Sequence, residues 1–112
     1  MESILTSIKK LLGIDEDYEY FDTDIILHIN STLNVLNQLG IGPEEGFKIE
    51  SKTSKWTDFV PTRTDLELLK TYVYLKVRLL FDPPQTGYLV EALKRQCTEM
   101  EWRLNVLAEG GE

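Results

Sequence analysis

Apolar residues are densest between Asp65 and Leu107, in two runs hinged at Asp82-Pro83-Pro84. Side chains advance about 100° per residue around a helix. Leu66, Leu69, Val73, Val77 and Leu80 therefore form one stripe of the first run, and Leu68, Tyr72, Leu75 and Leu79 form a second stripe beside it. Only Glu67, Lys70, Thr71 and Arg78 are left as a narrow polar edge. A helix this apolar should be covered on most sides, so it is expected at the centre of the fold, with its two flanks asking for more cover than one small copy offers. The second run carries its main stripe at Leu89, Leu93, Cys97, Met100, Leu104 and Leu107. Trp102 lies roughly 180° from that stripe, with Tyr88 and Val106 close to it and Glu91, Arg95 and Glu99 on the same face. A tryptophan there is either packed by another part of the chain or left for a partner.

Two further helices precede these. Ile4, Leu5, Ile8, Leu11 and Leu12 make a short amphipathic helix, with Lys9 and Lys10 near its C-terminal end, where cations suit the helix dipole, and Gly13 as its stop. Asp22, Thr23 or Asp24 is expected to cap a helix with the stripe Ile25, Ile29, Leu33 and Leu36, ending at Leu39 before Gly40. Its remaining surface, Asn30, Ser31, Asn34, Asn37 and Gln38, is polar without charge; it reads either as a soluble face or as one suited to close packing against another helix or subunit.

Periodicity fails from Gly40 to Thr64, where Gly40, Gly42, Pro43 and Gly46 mark a turn-rich loop. Phe47 and Ile49 alternate with polar neighbours, as in a short strand or extended segment, and Trp56, Phe59 and Val60 suit a single helical turn over the core. Pro61 breaks the chain and Thr64 or Asp65 caps the next helix, which Pro83 and Pro84 end at about Phe81; Thr86 caps the last. The expected fold is all-α, a small bundle of four main helices at about 3–12, 24–39, 65–81 and 86–108 in one domain spanning 1–112, with an irregular loop between the second and third.

Composition narrows the function classes. The 112 residues are 42% hydrophobic and 28% charged, ordinary globular material. Cys97 is the only cysteine, which forbids an internal disulfide, and its place on an apolar stripe suits a reduced core residue in a cytoplasmic setting. No run is long enough to cross a bilayer, and Thr6, Ser7, Lys9 and Lys10 interrupt what would be the core of a signal peptide. A net charge of -7 argues against duplex binding, which is built from clustered Lys and Arg. The acids concentrate at Asp15, Glu16, Asp17, Glu19, Asp22 and Asp24, a solvated connection or, as a lesser alternative, a calcium loop that lacks the glycine and distal glutamate of an EF-hand.

Catalytic chemistry has little to work with. His28 is the sole histidine, so any histidine-based triad must use it, and no Cys/His zinc set exists. Ser31 lies three residues from His28, but a nucleophile one turn from its base on a regular helix points to solvent. Glu99 and Glu101 are about 200° apart around their helix and cannot share a site. Gly40-Ile41-Gly42-Pro43 is no phosphate cradle, because no Gly-Lys-Ser/Thr follows it. No catalytic residue, metal ligand or cofactor is assigned.

Several segments, taken in order, resemble one family. Asp24-Ile25-Ile26-Leu27-His28-Ile29-Asn30-Ser31 and Leu36-Asn37-Gln38-Leu39-Gly40-Ile41-Gly42-Pro43 are similar to the second helix and turn of the phage head-tail connector, or adaptor, family of long-tailed phages and Gram-positive prophages. Trp56-Thr57-Asp58-Phe59, the run from Lys70 to Pro84, and Glu101-Trp102-Arg103-Leu104-Asn105 resemble its loop aromatic, its central helix with proline stop and its C-terminal helix. The resemblance implies a ring of about twelve copies that docks under the portal protein, meets a tail-side connector or stopper, and forms part of the channel through which DNA passes without specific binding. It also implies residence in the virion neck, with the host cytoplasm as the place before assembly, and no membrane partner.

On that reading Arg95, Glu99, Trp102, Arg103 and Val106 are expected to contact the portal or a neighbouring subunit, and neighbouring copies would cover both flanks of the central helix. Phe47, Trp56 and Phe59 are expected either at a loop contact that rearranges when the ring closes or as lids on the core. Asp15, Glu16 and Asp17 are expected to face the channel, where carboxylates would keep DNA from sticking. The alternative from another class is a small acidic regulator that inhibits a basic DNA-binding protein; an enzyme using His28 is a third.

Overall fold

A serine closes the first turn of the first helix. In the computed structural model, which describes residues 3–60 and 66–110, the side chains of 109 and 110 excepted, the Ser3 hydroxyl accepts a hydrogen bond from the Thr6 N–H at 3.2 Å. Helix α1 (Ile4–Leu12) follows, and Gly13 ends it with φ at 82°, a left-handed conformation that favours glycine. Helix α2 (Asp22–Gln38) begins two residues earlier than its apolar pattern predicts. Phe21 occupies the N-cap position and no side chain caps the helix, so Asp22, Thr23 and Asp24 stand in its first turn, where Asp22 and Asp24 complement the helix dipole instead.

After a long loop comes the expected single turn α3 (Trp56–Phe59), whose start is tied by the Lys55 N–H donating to Asp58 at 2.9 Å. Among the described residues the loop forms no strand; its extended part makes one isolated bridge, Ser3 with Lys55. Helix α4 (Leu66–Phe81) ends as predicted at the Pro83-Pro84 hinge. The expected break at Pro61 and cap at Thr64 or Asp65 lie outside the described residues. Helix α5 (Gly87–Gly110) starts under Thr86, whose hydroxyl accepts from the Leu89 N–H at 3.4 Å, and runs two residues past the predicted end.

Helix α4 packs against α1, α2 and α5, which is the central place its composition demands. Leu69, Tyr72, Val73, Leu75 and Val77 are buried on it, and Leu66, Leu68, Tyr74 and Leu79 are partly so. One copy therefore covers both stripes, Leu80 apart; the expectation that neighbouring copies must shield this helix is corrected. The missing cover comes from the loop and from α1, which close the core with Ile4, Leu5, Ile8, Ile41, Ile49, Trp56 and Phe59. Each such side chain contributes about 1.5–3 kcal/mol of burial.

The uncharged face of α2 explains how the loop is held. The side-chain amide of Asn30 donates to the Ile49 carbonyl at 2.9 Å and its oxygen accepts from the Ile49 N–H at 2.7 Å. Asn37 donates to the Pro43 carbonyl at 2.6 Å. Two asparagines one helical stretch apart thus satisfy backbone groups of a segment that has no sheet or helix partner. At the other end of the loop the Trp56 indole N–H donates to the Ser7 hydroxyl at 3.0 Å, and that hydroxyl donates to the Ser3 carbonyl at 2.6 Å.

Candidate interaction surfaces

Lys9 is the residue whose place the chain pattern conceals. It stands in the last turn of α1, as its place in the pattern leads one to expect, yet it is 2% exposed. Its ammonium donates to the carbonyls of Glu16 at 3.0 Å and Tyr18 at 2.7 Å, and pairs with Asp22 Oδ1 at 2.8 Å. Two hydrogen-bonded carbonyls and an ion-paired carboxylate surround it, which is what makes a buried ammonium tolerable. The signal available in the sequence is that Lys9 follows Leu5 by four residues and so shares the core-facing side of α1, with acids waiting just after the helix. Because Lys9 takes backbone carbonyls of the connection, the carboxylates of Asp15, Glu16 and Asp17 remain outside, and all three residues are exposed. Asp15 also accepts from the Asp17 N–H at 2.9 Å, tightening the turn. Tyr18 and Tyr20, half or more exposed, stack edge-on with Phe21, which in turn packs on Phe81 at 5.3 Å.

The loop aromatics divide. Trp56 and Phe59 are fully buried, so of the two roles expected for them the ring contact is corrected and the other holds: they are core lids, held by the Ser7 bond and by packing. Phe47 is half-buried and leans on Phe59 with ring centres 5.4 Å apart. The segment also passes very close to the core at Gly42, where an added Cβ would stand 2.4 Å from Phe59 Cε1.

Helix α5 is fixed in rotation from one side. The Tyr72 hydroxyl donates to Glu101 Oε2 at 2.6 Å, Lys76 lies 3.7 Å from the same carboxylate, and the Asn105 amide donates to the Leu39 carbonyl at 3.3 Å. Burial, then the Glu101 carboxylate, hold the Tyr72 hydroxyl far above its ordinary range. Burial also pushes the Cys97 thiol up, against the lowering influence of Lys76, so Cys97 is a buried thiol and a poor nucleophile. A groove of about 560 Å³ opens beside this network, lined by Lys76, Leu79, Leu80, Val90, Lys94 and Glu101 among others.

With Cys97 and Leu104 buried, the opposite face of α5 must point outward. Trp102 is 68% exposed there, Tyr88 76% and Val106 45%. Arg95, Glu99 and Arg103 are exposed on the same helix. The structure thus brings the five predicted α5 residues to one side of the molecule, as a ridge of indole and aliphatic surface between charges of both signs. On α2 the outward residues are Thr23 and Asp24 in the first turn and then Leu27, Ser31, Asn34 and Gln38; the uncharged polar set thus divides, Asn30 and Asn37 turning to the loop and Ser31, Asn34 and Gln38 to the outside.

The remaining chemistry is sparse. His28 is half-buried against Phe81 with ring centres 6.4 Å apart, while Ser31 is exposed one turn away. Among the described residues no group of three or more His, Cys, Asp or Glu is placed to hold a metal ion, and no helix is long and apolar enough to cross a membrane. A family model described as phage connector protein matches residues 4–111. No curated protein and no solved structure matches the chain.

Proposed function

The chain belongs to the phage connector protein family, and from that premise we propose that it assembles as a ring of about twelve copies beneath the portal, joins the head to the tail, and lines part of the DNA channel in the virion neck. The observation that carries this reading is the exposed ridge of α5: a tryptophan 68% open to solvent on a helix whose other side is pinned by Tyr72 and Asn105. Large amphipathic anchors flanked by arginines are what protein interfaces use at their centres. Arg95, Glu99, Trp102, Arg103 and Val106 make the contact with the portal or with the adjoining copy. On the opposite end of the chain Asp15, Glu16 and Asp17 face the channel and repel the phosphate backbone, so that DNA slides past without specific binding. The tail-side surface meets a connector or stopper component, and the protein waits in the host cytoplasm until assembly.

Trp102→Ala tests the reading. Because the indole contributes little to the core, the purified variant is expected to keep its helical content and melting temperature, while attachment to portal complexes falls by roughly 30-fold or more, the loss of a central anchor of about 2 kcal/mol or more. Attachment at the wild-type level, measured by co-sedimentation with portal, overturns the portal contact; a variant that no longer folds overturns the role of Trp102 as a surface anchor.

A further inference from the structure

From Ile25 to Pro43 the chain has no Asp, Glu, Lys or Arg, in a polypeptide that is 28% charged. The core explains part of this run, since Ile25, Ile29, Thr32, Leu33 and Leu36 are buried. The loop explains another part, through Asn30 and Asn37. Neither accounts for Leu27, Ser31, Asn34 and Gln38, which are exposed and fall within an arc of about 60° along roughly 17 Å of helix. Solvent alone would favour lysines and glutamates at such positions. Leu27, on this face, is 62% exposed.

We propose that the charge-free part of this outer face of α2, from Leu27 to Gln38, in one copy seats against the Trp102 face of α5 in the next copy. The inference rests on the ring reading above and names the two surfaces that make the lateral contact. Charge selects them. Copies carrying a net charge of -7 repel one another, and a contact whose α2 side has no carboxylate from Leu27 to Gln38, with exposed Asp24 only at its N-terminal edge, avoids burying like charges at its centre. The opposing α5 face carries Glu99 between Arg95 and Arg103, and the amides of Asn34 and Gln38 both donate and accept, so they satisfy either sign. Leu27 gives the indole an apolar partner. Helix α4 packs against both α2 and α5, and the two outer faces belong to different helices, so the contact joins two unlike surfaces. Two different surfaces in contact make a head-to-tail interface, the kind that propagates and closes into a ring.

Cysteine cross-linking in assembled phage particles tests this. Asn34→Cys in one population of copies and Val106→Cys in another are expected to join on mild oxidation, with neither substitution joining to itself, and a chain carrying both is expected to give a ladder of multimers. Native Cys97 is buried and stays silent. Particles that contain the doubly substituted chain at normal copy number yet yield only monomer overturn the α2–α5 contact while leaving the connector role intact, as does self-joining of Asn34→Cys. Wild-type chain missing from particles overturns the connector role and this inference with it. Independently, Asn34→Glu and Ser31→Glu are expected to lower incorporation at least tenfold with unchanged helical content and melting of the purified protein; incorporation at the wild-type level for both overturns the proposal.

Discussion

At the scale of single residues, Lys9 holds more of the molecule together than any surface charge does. Its ammonium sits between the carbonyls of Glu16 and Tyr18 and the Asp22 carboxylate, so one side chain joins α1, the connection and the start of α2. Removing one partner of a buried pair leaves the others desolvated and unpaired. Lys9→Ala is therefore expected to cost about 3 kcal/mol or more, read as a shift of the urea midpoint, whereas Lys94→Ala, whose pair with Glu91 is 3.7 Å long and well exposed, should change stability by less than about 0.5 kcal/mol. Gly42 is the second sensitive position. Its φ of 90° strains any L side chain, and a methyl group would meet the Phe59 ring. Gly42→Ala is expected to destabilise by roughly 2–4 kcal/mol, again by chemical denaturation, and to loosen the loop around Phe47.

At the scale of elements, the joint between α4 and α5 has a pH signature. The Tyr72 hydroxyl is held above its ordinary value of about 10, chiefly by burial and then by Glu101. Below that ordinary value both folded and unfolded chains keep the proton and stability is insensitive to it. Above it the unfolded chain releases the proton while the folded chain retains it, so stability falls as pH rises, by up to about 1.4 kcal/mol per pH unit. Tyr72→Phe is expected to lower stability near neutrality by about 1–2 kcal/mol, through the lost hydrogen bond to Glu101, which keeps only Lys76 as a partner. It should also make the alkaline decline shallower than in the wild type, measured by thermal melting from about pH 8 to about pH 11. Equal alkaline slopes would contradict the assignment.

The helices themselves were legible because their information is local. The two stripes of α4, the proline stop at Phe81, Gly13 and Thr86 each act within a turn of their own position. The cover over α4 was not legible, because it depends on Ile41, Ile49 and Trp56 returning from a loop with no periodicity to read. The burial of Lys9 was not legible for a related reason: it is decided by a carboxylate and two carbonyls from a separate segment. Of the candidate surfaces, the α5 ridge could be read from the angle between Trp102 and the Cys97 stripe. The fate of Trp56 and Phe59 could not, since an aromatic in a loop looks the same whether it lids a core or meets a partner.

At the scale of the whole molecule, charge is distributed by role. The connection exposes Asp15, Glu16 and Asp17 because its backbone, and not its carboxylates, is what Lys9 grips. Neutralising all three to Asn or Gln should leave the fold within about 0.5 kcal/mol, as exposed substitutions do. If these acids face the channel, particles carrying the triple variant are expected to show altered retention or slower release of DNA, followed by a dye-exclusion assay of ejection. Unchanged retention and release would remove the acids from the channel wall.

The bond between Trp56 and Ser7 spans 49 positions of sequence, and α1 has only nine residues, too few to persist as a helix by itself in water. Helix α1 is therefore held by tertiary contacts, and among them are two from far along the chain: the Ile4 N–H donates to the Ser54 carbonyl at 3.0 Å and the Trp56 indole to Ser7. Losing the stretch from Ser54 to Phe59 would strip Trp56 and Phe59 from the core that holds Ile4, Leu5 and Ile8, which makes closure of the loop a condition for burying the apolar side of α1.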